Sequence, residues 1–370
     1  MKEARSRIVL LLSSIFFSIV IIEILLAFLN KPCFYKSHSA PAQFAFVSLG
    51  NNDIVYFSLP SQRIRFIYGR NPRGYFDKDN AVDHVTNSSG FRGKEFLIQK
   101  PKNTFRMVFL GDSFTFGEGV KFEGTYPEVI SSLLGQKYSS LPVNFESYNF
   151  GVGGYNTTQS LYVLRNIAMK VNPDIVVLGY TLNDAEPQLF YRDAKTGMVA
   201  RRPREHYVPE GIGNSIPPDN LLYNLRISRL LWQLCENRSR TRETFKYYNS
   251  LFLETSSGWI ESRNALHEFI SLCREQNIPC YILLFPVLYQ LNDRYPFWHI
   301  HSLIQKEAQS KNAFFIDLLL YLKGLDEKGL WVYPNDQHPN EKVHAIAAGA
   351  LAEKIASNPD IDAKIRNITR

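Results

Sequence analysis

The sequence predicts an α/β fold, a doubly wound parallel sheet with helices on both faces, preceded by one transmembrane helix. Three observations carry that expectation. From residue 105 onward, short runs that are apolar throughout alternate with amphipathic stretches. Strands buried on both faces and alternating with helices mean a parallel sheet covered on each side. Residues 8–29 form an almost unbroken apolar run, and about 20 such residues span the hydrocarbon core of a bilayer. Finally, 370 residues with 45% hydrophobic and 21% charged side chains suit one large domain with appendages. Gly and Pro, at 21 and 19, are too few for collagen or long low-complexity segments.

The elements follow in chain order. Lys2, Arg5 and Arg7 stand against Glu3 before the apolar run. By the positive-inside rule, residues 1–7 stay in the cytoplasm and the body lies outside it, periplasmic or extracellular. A signal-peptide core is usually about 7–15 residues, so 8–29 is expected to be an uncleaved signal anchor. Ser39-Ala40-Pro41-Ala42 offers small residues for cleavage but lies well past the run, and Asn30-Lys31-Pro32 before Cys33 is unlike a lipoprotein processing site. Glu23 interrupts the span. An acid there reaches the interface, stays protonated or meets a membrane-protein partner. Residues 30–104 carry Pro32, Pro41, Pro60, Pro72 and Pro101, which prevent long helices, with β-like pieces at Val55–Phe57 and Arg63–Ile67. They read as a tether and a small cap.

The alternation then begins with strand Phe105–Leu110, helix Tyr126–Leu134, strand Val143–Asn149, helix Thr158–Lys170 and the buried strand Asp174–Tyr180. An insert over 185–257 follows, with helices expected near Leu221–Cys235 and Arg242–Leu253. Helix Trp259–Gln276, strand Pro279–Phe285, helix Ile300–Ser310, strand Ala313–Leu318 and helix Glu341–Ala356 complete the main domain, 105–356, and 357–370 is a tail. The net charge of +7 is concentrated in the insert, where basic residues outnumber acidic ones two to one between Lys195 and Lys246. That stretch reads as a solvated insert or as a surface facing anionic lipid or an acidic polymer; a lid over the site is its expected role. Nucleic acid is not an expected partner, because the stretch has no recognition motif and lies outside the cytoplasm. Cysteines 33, 235, 273 and 280 make no disulfide framework in a chain this long. Cys273 and Cys280 flank a helix-to-strand turn, as a disulfide or as two buried thiols.

In an open parallel sheet, sites form beyond the carboxyl ends of the strands, so the loops that leave the strands hold the candidates. Gly111-Asp112-Ser113-Phe114-Thr115-Phe116-Gly117 follows the first strand. A serine leaving a buried strand through a glycine presents its hydroxyl, and its backbone N–H points the same way as an oxyanion donor. Thr115 occupies the second glycine position of the G-x-S-x-G elbow, so this is a different turn. Gly151-Val152-Gly153-Gly154 follows the second strand and lets backbone amides approach a substrate. Asn183-Asp184 follows the third, and Asp336-Gln337-His338-Pro339-Asn340 precedes the last helix, supplying an imidazole with an acid two residues earlier. Separately each is an ordinary turn, cap or loop histidine. In conjunction they offer a nucleophile, oxyanion donors and a base at one sheet edge. His299 and His301 form a His-x-His pair without a carboxylate or thiolate cluster, so no metal site is expected.

These residues, with the lead-in Asn87-Ser88-Ser89-Gly90-Phe91-Arg92-Gly93, resemble the SGNH (GDSL-like) hydrolase superfamily in its membrane-anchored bacterial form. The resemblance covers about residues 105–356 and implies a flavodoxin-like SGNH hydrolase fold. It implies Ser113 as nucleophile and His338 as general base oriented by Asp336. The oxyanion hole would be formed by the N–H groups of Ser113 and Gly154 and the side-chain amide of Asn183. No cofactor or metal is implied. The common spacing puts the acid three residues before the histidine, where this chain has Asn335, and Asp336 resembles the Asp-x-His arrangement of some polysaccharide-modifying members. Asp112 is expected to hold the loop. The activity implied is that of a serine esterase acting on an acyl ester, such as an acetyl ester, of a cell-surface carbohydrate or lipid. An O-acyltransferase of an extracytoplasmic polysaccharide and an inactive glycan-binding or assembly protein are the alternatives.

Overall fold

The computed structural model describes residues 2–28, 37–39, 44–50, 53–193, 195–196, 198–201, 226–334 and 336–368. The Ser39-Ala40-Pro41-Ala42 segment beyond Ser39, the Asn30–Cys33 stretch, much of the insert and Asn335 lie outside them.

The first helix, α1 (Lys2–Phe28), contains Ser6–Leu26, which is long and apolar enough to cross a membrane, as a signal sequence also is. Five short strands follow: β1 (Ser37–Ser39), β2 (Phe44–Gly50), β3 (Asp53–Ser58), β4 (Arg63–Tyr68) and β5 (Ala81–Val85). The main domain then runs through β6 (Thr104–Gly111), α2 (Ser113–Phe116), α3 (Tyr126–Lys137), β7 (Asn144–Asn149), α4 (Thr157–Asn166) and β8 (Ile175–Tyr180). The insert contributes β9 (Phe190–Arg192), β10 (Val199–Arg201) and α5 (Arg226–Leu251). After it come α6 (Ser257–Glu275), β11 (Cys280–Leu284), α7 (Trp298–Ser310), β12 (Phe314–Asp317), α8 (Leu319–Leu322), β13 (Trp331–Tyr333), β14 (Asp336–Pro339), α9 (Glu341–Ala356) and α10 (Pro359–Asn367).

The central sheet is five-stranded, in the order β12-β11-β8-β6-β7, and every pairing is parallel. Counted along the chain this is 2-1-3-4-5, the flavodoxin-like doubly wound order, whose switch point falls between β6 and β8. Helices α3 and α9 pack together, as do α4, α6 and α7, so the two faces of the sheet are separately covered. All of β6, β8 and β11 is buried, as the apolar runs at residues 107–110, 175–178 and 281–284 require. Arg106 lies within β6 fully buried, paired to Glu146 at 2.8 Å and stacked over the Tyr148 ring.

Residues 37–104 supply strands to two smaller sheets, β1-β4-β5 and β10-β9-β3-β2. The second brings strands from before and after the central sheet's first three strands together, through the pairing of β3 with β9. Two expectations are corrected. Within the insert, α5 runs unbroken across the gap expected between two helices: residues 236–241 are polar, but they hold no Pro or Gly to stop a backbone that is already helical. The expected start at Leu221 lies outside the described residues. The tail after 356 is a helix too. Asn358 caps α10 by accepting from the Asp360 and Ile361 amides, Pro359 sits at its first position, and Ile361 and Ile365 are buried. Cys273 and Cys280 are buried free thiols.

Candidate active site

Gly111 ends β6 and begins the turn that carries Ser113. Its φ of +145° suits glycine, and a Cβ there would lie 2.4 Å from Thr115 Oγ1 and 2.6 Å from the Gly179 carbonyl. The chain can therefore leave the sheet closely packed against β8 and enter α2 at once. Asp112 caps that helix by accepting from the Phe114 amide at 2.9 Å. From behind, the buried guanidinium of Arg92, in the Asn87–Gly93 lead-in, donates to the carbonyls of Phe116, Gly117 and Val120 at 2.7, 2.6 and 2.5 Å. The His84 ring stacks on Phe116 and accepts from the Gly119 amide at 3.1 Å. The serine thus stands on a turn tied at both ends.

His338 arrives from β14. Its Nε2 is 2.9 Å from Ser113 Oγ, and its Nδ1 is 2.5 Å from Asp336 Oδ1. The two-residue separation has a simple cause: Asp336 and His338 lie on one strand, and residues i and i+2 of a strand face the same side. Asp336 also accepts from its partner's backbone N–H at 3.2 Å and from the Tyr68 hydroxyl at 3.3 Å. Burial pushes the Asp336 carboxyl up, yet His338 and Tyr68 outweigh it and hold the carboxyl below its ordinary range. Burial likewise pulls the imidazole down, while Asp336, Glu118 and Asp112 raise it well above an ordinary histidine. The edge of the His338 ring packs on Phe114.

Asn183 is joined to the same turn. Its Nδ2 donates to Asp112 Oδ2 at 3.1 Å, and the Thr181 hydroxyl donates to that oxygen at 3.0 Å and to the Asn183 carbonyl oxygen. A side-chain amide carries two N–H groups, and this clasp uses one of them. Behind it, Asp184 accepts from Thr157 Oγ1 at 2.9 Å and the Thr181 amide at 2.8 Å. Burial and the neighbouring Asp112 raise the Asp184 carboxyl well above its usual range. Gly153 and Gly154 are held by β3: Tyr56 donates its hydroxyl to the Gly153 carbonyl at 2.6 Å, and Tyr155 donates to the Tyr56 carbonyl. A Cβ on Gly153 would lie 4.0 Å from that of Ser113, so this loop borders the serine.

Ser113, His338, Asp336 and Asn183 therefore come together, beside the loop of Gly154. His301 goes elsewhere, buried between Asp317 at 2.9 Å and the Tyr295 hydroxyl at 3.1 Å. Glu118, Tyr68 and Thr181 were not foreseen as site residues. Glu118 could have been noticed, five positions after Ser113 in the same turn, whereas Tyr68 meets Asp336 across 268 residues with no local signal. Donor atoms of Glu118, Asp336 and His338 lie within 4.8 Å of one another, a set able to hold a metal ion. A cation there would compete for the imidazole nitrogens that already face Ser113 and Asp336.

A serine turn, an imidazole and an amide stand together at the switch point of a 2-1-3-4-5 sheet, and the family that the chain matches is one of hydrolases that act on ester bonds. Residues 109–346 match the GDSL-like Lipase/Acylhydrolase family, and the chain belongs to it. A search of curated proteins finds no match. Among solved structures, the chain is similar to a putative lipolytic protein of the G-D-S-L family from Desulfitobacterium hafniense, at 13% identity and a TM-score of 0.37, covering 67% of this chain and 98% of that one. It is also similar to a catalytic mutant of Axe2, an acetylxylan esterase from Geobacillus stearothermophilus, at 14% identity and a TM-score of 0.41, covering 69% of this chain and 95% of that one.

Proposed function

We propose that this chain is a serine esterase, anchored at the outer face of the cytoplasmic membrane, that hydrolyses an acyl ester of a cell-surface carbohydrate or lipid. The observation that carries the reading is the continuous relay from Ser113 Oγ through both ring nitrogens of His338 to Asp336, at 2.9 and 2.5 Å. Ser113 attacks the ester carbonyl as His338 Nε2 takes its proton, and Asp336 holds the ring and stabilises the imidazolium. The N–H groups of Ser113 and Gly154 and the second N–H of Asn183 receive the oxyanion. His338 then protonates the leaving alcohol, and water, activated by the same nitrogen, releases the acid. Ester and water are consumed, alcohol and acid leave, and the protein groups return to their starting state.

Anchoring is supported by the length and composition of Ser6–Leu26 and the basic residues before it, which favour residues 1–7 in the cytoplasm and the body outside. On this reading 8–29 is the anchor, 30–104 the tether and cap, and 105–356 the hydrolase domain. The lid role of the insert is carried by α5, and it is supported by the packing of α5 against the Leu182–Ala185 turn that bears Asn183.

The test uses the full chain in detergent, wild type and Ser113→Ala, with acetylated oligosaccharides and acyl glycerols. Release of free acid by wild type alone supports the reading. Acyl groups appearing on an added sugar in place of free acid would replace hydrolysis by transfer. Glycan binding without turnover by folded wild type would replace it by a binding role.

A further inference from the structure

Glu118 is a carboxylate that acyl transfer does not call for, and it stands at the reacting atoms. Its backbone N–H donates to the Ser113 carbonyl at 3.1 Å, fixing it to the nucleophile's own turn. Arg92 holds the carbonyls on either side, those of Gly117 and Val120. Glu118 Oε2 lies 3.9 Å from His338 Nε2, the nitrogen that faces Ser113. It also lies 3.8 Å from where a Cβ on Gly153 would sit. Its side chain is 25% exposed, at the mouth of the site.

A negative charge in this place opposes an oxyanion and repels any anionic substrate. It becomes favourable when the substrate offers it a hydrogen, because an ionised carboxylate only accepts. The leaving oxygen must come within about 3 Å of His338 Nε2 to be protonated. A hydroxyl on the adjacent carbon of the leaving alcohol then lies one hydrogen-bond length further on, within reach of Glu118 Oε2. Hydrogen bonds to an ionised acceptor are roughly twice as strong as neutral ones.

We infer that Glu118 is a specificity-determining residue that accepts a hydrogen bond from a hydroxyl neighbouring the scissile ester oxygen. The site therefore takes acyl esters of neutral polyhydroxylated alcohols, sugars in particular, over esters of simple alcohols and of anionic lipids. The inference rests on the esterase reading and narrows it from carbohydrate or lipid to carbohydrate. The same carboxylate stands beside the imidazolium formed during attack, together with Asp336 and Asp112, so its removal also alters the acidity of His338.

The experiment compares trans-2-hydroxycyclohexyl acetate with cyclohexyl acetate, which differ by the one hydroxyl. The full chain in detergent is assayed as wild type, Glu118→Ala, Glu118→Gln and Glu118→Asp. Wild type is expected to favour the hydroxylated ester at least ten-fold in kcat/KM, and Glu118→Ala to bring the ratio close to one. Glu118→Asp should restore part of it. In Glu118→Ala and Glu118→Gln the rising limb of the pH–rate curve moves to lower pH, because losing the nearby anion lowers the His338 pKa; a purely structural residue would not do this. An unchanged ratio in Glu118→Ala, with wild type active on both esters, overturns the inference and leaves the esterase reading standing. No turnover of any ester by folded wild type would sink both.

Discussion

Replacing Gly154 with alanine tests the proposed oxyanion role of its loop through two separable effects. Gly154 has φ +80°, a left-handed conformation that costs an L-residue about 1–2 kcal/mol. The new Cβ would lie 2.8 Å from the Tyr56 hydroxyl and 2.9 Å from Leu189 Cδ2. Leu189 can swing its tip away. Tyr56 has no such freedom: it is buried, its hydroxyl is bonded to the Gly153 carbonyl, and its ring meets Tyr155 and Phe190 edge-on. Losing the Tyr56–Gly153 bond costs about 0.5–1.5 kcal/mol, so the variant should be destabilised by about 1.5–3.5 kcal/mol in all. If the loop shifts instead, the Gly154 N–H leaves its position, and losing one oxyanion donor lowers kcat about 100–1,000-fold. Gly153→Ala is the control. Its Cβ would meet nothing nearer than Glu118 Oε2 at 3.8 Å, so stability should change by less than about 0.5 kcal/mol and kcat far less than in Gly154→Ala. Thermal unfolding and p-nitrophenyl acetate turnover measure both. A folded Gly154→Ala protein with wild-type kcat would refute the assignment of that N–H.

Asp336→Asn keeps the shape of the relay but removes the anion that orients His338, and should lower kcat on the order of 1,000–10,000-fold; an effect below ten-fold would assign the orienting role elsewhere. Because Asp336, Glu118 and Asp112 together raise His338, and only the neutral ring accepts the Ser113 proton, kcat/KM should climb with pH along a limb centred above the ordinary histidine value of about 6.5. A limb centred at or below that value would contradict the electrostatics. Burial holds His84 and His344 neutral, His344 down to about 3, and each accepts a backbone N–H. Their contribution is full above the unfolded pKa of about 6.5 and is lost as pH falls toward the folded values, at up to about 1.4 kcal/mol per pH unit for each. Thermal midpoints at pH 7 and pH 5 should therefore differ, by less in His344→Gln than in wild type.

Much of this molecule could be read from local sequence. Asp174–Tyr180 announces a strand buried on both faces, and the glycine that closes β6 announces the turn into Ser113. Asn183 and the Asp336–His338 pair follow from asking what stands at the carboxyl edge of such a sheet. What escaped depends on contacts between distant segments. Only two isoleucines of α10 are buried, too weak a pattern to separate a helix from a tail, although Asn358-Pro359 marks its start. The polar residues in the middle of α5 interrupt an apolar pattern without interrupting the backbone. Tyr68, at the end of β4, reaches Asp336 only because β4 and β14 meet in the folded chain. Glu118 sat in plain view, but its closeness to His338 required the position of β14.

The most direct measurement is a fluorophosphonate probe reacted with the full chain in detergent, followed by mass spectrometry of the labelled peptide. Wild type, Ser113→Ala and His338→Ala would be compared at equal folded concentration. The relay from Ser113 through His338 predicts a single adduct on Ser113, none in Ser113→Ala, and labelling slowed by orders of magnitude in His338→Ala. Labelling on another serine, or an equal rate in His338→Ala, would contradict it.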